Sequence, residues 1–313
     1  MTVQARPLVR NPIAKVLQRS PIISYFVLAF GLSWLAWLPY LLSQNGMGLL
    51  DYRFPTVLGS TQLTGILPGA YLGPIAAGAI MTAVGEGRPG MRRWLSRFVA
   101  VRVRFGWYPL TLLGVPLVIV GATFVLPGAA TAFRTPDLAL VALYLPMLVV
   151  QFFTTGLAEE PGWRDYALPH LQNRFGPLAG TLILGPLWAA WHLPLFLTEW
   201  SLGRVDYRNI AAFVVLSVAL SIVLTWVFNH ARESLLIIML FHANINAFGS
   251  TLWPGLFPGL PVIEARYVVG AIGFGAVALV LLMLTRGRLG YETRSTLSQH
   301  FGSLTEISDR PNP

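Results

Sequence analysis

Apolar residues dominate eight stretches of this chain, roughly 21–43, 62–84, 107–127, 138–160, 178–198, 210–229, 235–253 and 266–285. Each is long enough to cross a ~30 Å hydrocarbon core as a helix. A strand of a membrane barrel alternates apolar and polar positions, and the run from Gly275 to Leu284, GAVALVLLML, does not alternate. The pattern predicts an all-α, polytopic membrane helical bundle of about eight transmembrane helices. No internal repeat accompanies it, so the inverted-repeat architecture of many transporters gains no support.

The pattern also sets the organisation: an N-terminal arm over 1–20, a single membrane domain over 21–285, and a polar tail over 286–313. The tail's Ser, Thr, Gly and Pro content predicts disorder. Composition agrees, since 55% of residues are hydrophobic and only 11% charged, against about 25% charged in soluble domains. The first apolar run follows about 20 mostly polar residues and is too long for the apolar region of a cleavable signal peptide, so it is expected to stay as a span.

An even number of crossings puts both termini on one side. Of the 22 basic residues, 17 fall on that side by this count, and only Arg53, Arg134, Arg204, Arg208 and Arg266 fall opposite. The positive-inside rule then predicts a multi-pass protein of the cell membrane with both termini cytoplasmic. The net charge of +9 is thereby explained by topology. No basic stretch is long enough to make a soluble nucleic-acid-binding module, and the partners expected are the lipid bilayer and a membrane-associated peptide or protein substrate. The segment Met91–Arg104 reads as a basic linker between two spans. Cysteine is absent, which excludes disulfides, thiolate ligands and a cysteine nucleophile.

Against this background a few polar residues stand out, because ionisable groups at membrane depth are costly and mark function by default. Span 4 ends in LAEEPGWRDYALPHL, with Glu159, Glu160 and Arg164. Glu160 and Arg164 are four apart and share a helical face, while Glu159 points about 100° away, so the two carboxylates are free to take different jobs. Pro161 removes a backbone donor here and is expected to kink the helix or begin a new one. Span 5 carries Trp188 and His192 one turn apart, bracketed by Pro186 and Pro194, and span 7 carries His242 and Asn246 one turn apart. Singly, each has an ordinary reading: interhelical glue for a His or Asn, an ion pair at the membrane boundary for Glu160 and Arg164, an interfacial belt for Trp163 and Trp188. Three spans bringing such a pair at the same spacing point to one shared site.

A carboxylate, two imidazoles and an amide can hydrolyse an amide bond without a covalent intermediate. Glu159, His192 and His242 are equally a donor set for a divalent metal such as zinc. At these residues the chain resembles the CPBP family of membrane proteases, which embraces type II CAAX prenyl endopeptidases and bacteriocin-processing proteins. Its EExxxR motif matches Glu159, Glu160 and Arg164. An aromatic residue followed four positions later by His matches Trp188 and His192, with Trp where Phe is usual, and HxxxN matches His242 and Asn246. The motif-bearing part covers about 140–250. Pro161 and Asp165 depart from the usual pattern.

The resemblance implies Glu159 as the base that activates water, His192 as its partner, His242 and Asn246 as oxyanion stabilisers, and Glu160, Arg164 and Trp188 in support. It favours a mechanism with no cofactor over the metal alternative. The expected function is an intramembrane endopeptidase acting on a CAAX-type or leader-peptide-type substrate through a cavity open to the cytoplasm. The alternatives are a non-catalytic scaffold or immunity protein of the same fold, or an ion-coupled transporter. By residue count His192 lies ~21 Å into its span and His242 only ~10 Å, and this mismatch predicts a bend or re-entry between Gly176 and Pro186.

Overall fold

A computed structural model describes residues 12–99, 101–201, 205–260 and 262–291, so the start of the arm and most of the expected tail lie outside the described residues. Among them the chain forms helices joined by turns, and no strand beyond a single bridge between Val57 and Ser60. A short helix α1 (Pro12–Arg19) precedes α2 (Pro21–Leu42), α3 (Leu67–Phe98), α4 (Trp107–Thr123), α5 (Leu138–Phe175), α6 (Pro177–Leu197), α7 (Tyr207–His230), α8 (Leu235–Leu256) and α9 (Ala265–Thr285). Seven of these are long and apolar enough to span a membrane, and α4, with 17 residues, is the shorter apolar helix in the position of the eighth.

Two helices run well past their apolar stretches, α3 to Phe98 and α5 to Phe175. Hydropathy ends where hydrocarbon ends, whereas a helix continues as long as its turns find partners. The basic segment expected as a linker is therefore partly helix. It bends at Gly87, whose backbone leaves the helical region at φ 62°, and then packs on α5, with Trp94 buried and its indole Nε1 donating to the Pro161 carbonyl at 3.4 Å. Arg97 reaches Asp165 on α5 and Glu233 between α7 and α8. The Asp165 departure from the family pattern thus has a structural role: it anchors the arginine-rich end of α3.

The length of α5 removes the mismatch in depth. Its helix turns back at Gly176, where φ of +81° suits glycine, and Gly176 stands sixteen positions after Glu160 and sixteen before His192. The arms of this hairpin are equal, so His192 returns to the level of the carboxylates with no re-entrant segment. Helix α6 runs through Pro186, its α-helical part ending at Trp191 with His192 as the C-terminal cap and Pro194 in the turn beyond. The α7–α8 turn lies nearer the site, which is why His242 needs only two helical turns from Leu235 to reach it.

Tryptophans and amides lock the bundle. Trp191 Nε1 donates to Ser33 Oγ at 2.7 Å, and Trp34 Nε1 donates to the Trp191 carbonyl at 3.0 Å, tying α6 to α2. Asn244 on α8 donates to the carbonyls of Thr111 and Leu112 on α4 at 2.8 and 3.0 Å, and accepts from Tyr144 on α5. Polar groups in lipid must find partners inside the protein, and these bonds discharge that demand while fixing which faces meet.

Candidate active site

The site forms where α5, α6 and α8 meet, and small residues let them meet closely. A Cβ on Gly156 would lie 2.6 Å from the Met239 carbonyl oxygen, so α5 and α8 pack backbone to backbone one turn from the carboxylates. The helix passes through Glu159, Glu160 and Pro161 without ending, flanked by wide π-type turns over Phe152–Gly156 and Trp163–Ala167. Such turns reset the helical phase, and they recur at functional sites. Pro161 thus stands inside a continuing helix rather than beginning a new one, between these two turns.

Trp188 is the hub of the site. Its indole Nε1 donates to Glu159 Oε2 at 2.8 Å, its ring face receives the Arg164 guanidinium at 4.5 Å from the centroid, and its edge meets the His242 ring at 5.6 Å and the His192 ring at 5.9 Å. Its carbonyl accepts from His192 Nδ1 at 2.9 Å. Trp188 and Trp163 are 4% and 0% exposed, so neither is an interfacial belt residue.

The two carboxylates part company as their helical phase requires. Glu159 lines a cavity of about 300 Å³ together with Trp188, His192, His242 and Asn246. Glu160 is fully buried away from it, with Oε1 2.6 Å from His242 Nδ1 and 3.4 Å from a terminal nitrogen of Arg164. Arg164 is likewise fully buried and also reaches Ser221 Oγ on α7 at 3.4 Å. This arginine therefore does not belong to the basic end of the molecule, where a count along the sequence puts it, and its pair with Glu160 is an interior one.

The structure brings together all seven residues singled out from the sequence. Ser221 was not among them: one serine in an apolar span gives no signal that its partner is a buried arginine. Asn244 also escaped, although it neighbours the HxxxN motif, and it is the structural amide of α8 while Asn246 faces the cavity.

Metal binding was the alternative for Glu159, His192 and His242. Among the described residues no group of three or more His, Asp or Glu side chains is arranged to hold an ion, and the Nδ1 atoms of both histidines are already engaged.

The cavity's lining comes from one end of the bundle. It includes Val57, Leu58 and Gln62 between α2 and α3, the far end of α6 with Trp200 beyond it, and Arg266 at the start of α9. The ends of the helices that carry Arg97, Arg174 and Arg232 contribute nothing to it. Glu160, Arg164 and the Arg97 cluster lie between the cavity and the arginine-rich end, the end that the charge count expects to be cytoplasmic and the cavity to open to.

Comparison with known proteins agrees with the motifs. The family described as type II CAAX prenyl endopeptidase, Rce1-like, matches residues 141–248. A protein of Methanococcus maripaludis named CAAX prenyl protease 2 is 31% identical over 109 residues, which cover 33% of this chain and 38% of that protein. The chain therefore spans well under half the length of this curated relative. Helices α2, α3, α4 and α9 lie outside the family match, yet α2 supplies Ser33 and Trp34 to hold α6. The resemblance to CPBP membrane proteases is shown over residues 141–248, the segment that carries Glu159, Glu160, Arg164, Trp188, His192, His242 and Asn246.

Proposed function

We propose that this multi-pass membrane protein is an endopeptidase that hydrolyses a peptide bond within its intramembrane cavity, using water activated by Glu159. The observation that carries this reading is a carboxylate at a cavity wall, oriented by Trp188 Nε1 and sharing that cavity with two histidines and an asparagine. The bond to Trp188 occupies Oε2 and leaves Oε1 for a water.

Hydrogen bonding assigns different work to the two histidines. A carbonyl oxygen only accepts, so His192 Nδ1 donates to Trp188, and in the neutral ring Nε2 is left as an acceptor. His192 is suited to take and return protons beside Glu159, to which it has no direct hydrogen bond. His242 Nδ1 faces the Glu160 carboxylate instead. For its Nε2 to donate to an oxyanion the ring must carry both protons, and the Glu160 carboxylate is the group that offsets that charge. Asn246, one turn along, supplies the second donor.

In the proposed step the water oxygen bonds to the scissile carbonyl carbon as Glu159 takes its proton. Negative charge gathers on the carbonyl oxygen, facing His242 and Asn246, and the C–N bond breaks as the amine leaves with a proton returned from Glu159 or His192. The relative named CAAX prenyl protease 2 supports the reaction class.

Purified wild type compared with Glu159→Ala against a mixed peptide library in detergent tests the reading. Loss of cleavage by a factor of about 10²–10⁴ is expected, with unchanged activity in a chelator. Retained cleavage in the variant would remove Glu159 as the base.

A further inference from the structure

The two ends of this bundle differ in access and in charge, and together these features say where a substrate comes from. At the arginine-rich end Arg97 joins Asp165 and Glu233, and between that end and the cavity the interior Glu160–Arg164 pair lies beneath Trp188. At the other end the cavity is walled by the α2–α3 connection and the turn after α6. This wall is built rather than loose. The Glu199 carboxylate accepts from Asn45 Nδ2 at 2.9 Å, from Thr61 Oγ1 at 3.2 Å and from Arg53 at 3.0 Å. The Glu199 backbone N–H donates to the Asn45 carbonyl at 2.8 Å. The bonds hold the connection across the mouth as a fixed rim.

Charge gives that rim a side. Only five of the 22 basic residues belong to this end by sequence, and basic residues concentrate on the cytoplasmic side of short-looped membrane proteins. The mouth is therefore non-cytoplasmic. Beside it the connection exposes Met47, Leu49, Leu50, Tyr52, Val57 and Leu58. An apolar strip at a helix-end connection suits the headgroup boundary of a bilayer, where it can lie among lipids.

Building on the peptidase reading, we propose that the substrate is a polypeptide segment presented at the outer, non-cytoplasmic membrane boundary, as in an exported or membrane-inserted protein, rather than a prenylated tail in the cytoplasm. A modified cytoplasmic C-terminus would meet the closed, arginine-rich end and would have to cross the Glu160–Arg164 layer to reach Glu159.

The absence of cysteine makes the test direct, because a single introduced thiol has no background. Leu58→Cys marks the rim, Thr154→Cys marks the cavity wall, and Val99→Cys marks the arginine-rich end. Each full-length variant is treated with a charged, membrane-impermeant maleimide in spheroplasts and in inverted membrane vesicles. Labelling of Leu58→Cys and Thr154→Cys in spheroplasts alone, with Val99→Cys reacting in inverted vesicles alone, is expected, each with at least a tenfold preference. The reverse pattern, or Thr154→Cys reacting in inverted vesicles, overturns the proposal. Labelling reads access and not catalysis, so failure of the peptidase reading would appear separately, as uncleaved peptide with this pattern intact.

Discussion

Trp188 divides the interior into two regions built from the same residue types. On one side Glu160, Arg164 and Ser221 are packed shut, each fully buried. On the other, Glu159, His192 and Asn246 line open volume. Adjacent glutamates on one helix thus end in opposite situations, one a buried counter-charge and the other free to meet water. The polar cluster therefore has a closed, structural half and an open half that lines the cavity, and they should fail differently when mutated.

The largest effect is expected in the closed half. Arg164→Leu leaves Glu160 buried with only His242 for a partner, and breaking a buried pair typically costs about 3–5 kcal/mol. Denaturant titration in detergent should show that loss of stability, with activity lost as well. If Arg164→Leu were as stable as wild type, the division into halves would be wrong. Asn246→Ala probes the open half and should lower kcat/KM by about 10²–10³, as loss of an oxyanion donor does, while the unfolding midpoint moves little. Equal losses of activity and stability would place Asn246 in the structural half.

Trp188→Phe tests the hub between them. The ring remains over Arg164 while the N–H to Glu159 is lost, so a fall of about tenfold in cleavage is expected, near 1.4 kcal/mol for one hydrogen bond. No change would mean that Glu159 is oriented by something other than the indole. The smallest effect belongs to Ser221→Ala, whose contact with Arg164 is long at 3.4 Å. Its stability should stay within about 0.5 kcal/mol of wild type, and a larger loss would make Ser221 a true member of the buried network.

Much of this was legible in the chain. Spans over 21–42 and 235–256 follow directly from hydropathy, and the spacing of His242 and Asn246 required only helical geometry. The ends of α3 and α5 were not, because Met91–Phe98 and Trp163–Phe175 are held as helix by contacts such as Trp94 to Pro161 and Arg97 to Asp165, which hydropathy does not register. The misjudged depth of His192 followed from ending α5 too early. The burial of Arg164 was hidden for a related reason, since a count from the span's edge treats an arginine as a surface marker whenever its partners lie on other helices.

Sequence by itself determined that the chain crosses a membrane as helices and which polar residues on three of them belong together, because water rejects long apolar runs and lipid rejects unpaired charge. Tertiary structure alone decided which glutamate meets the cavity, which nitrogen of each histidine is engaged and which end of the bundle is open. Those outcomes depend on the phase and packing of helices distant in sequence, and on where the Gly176 turn and the Glu199 rim set the ends of α6 and of the α2–α3 connection.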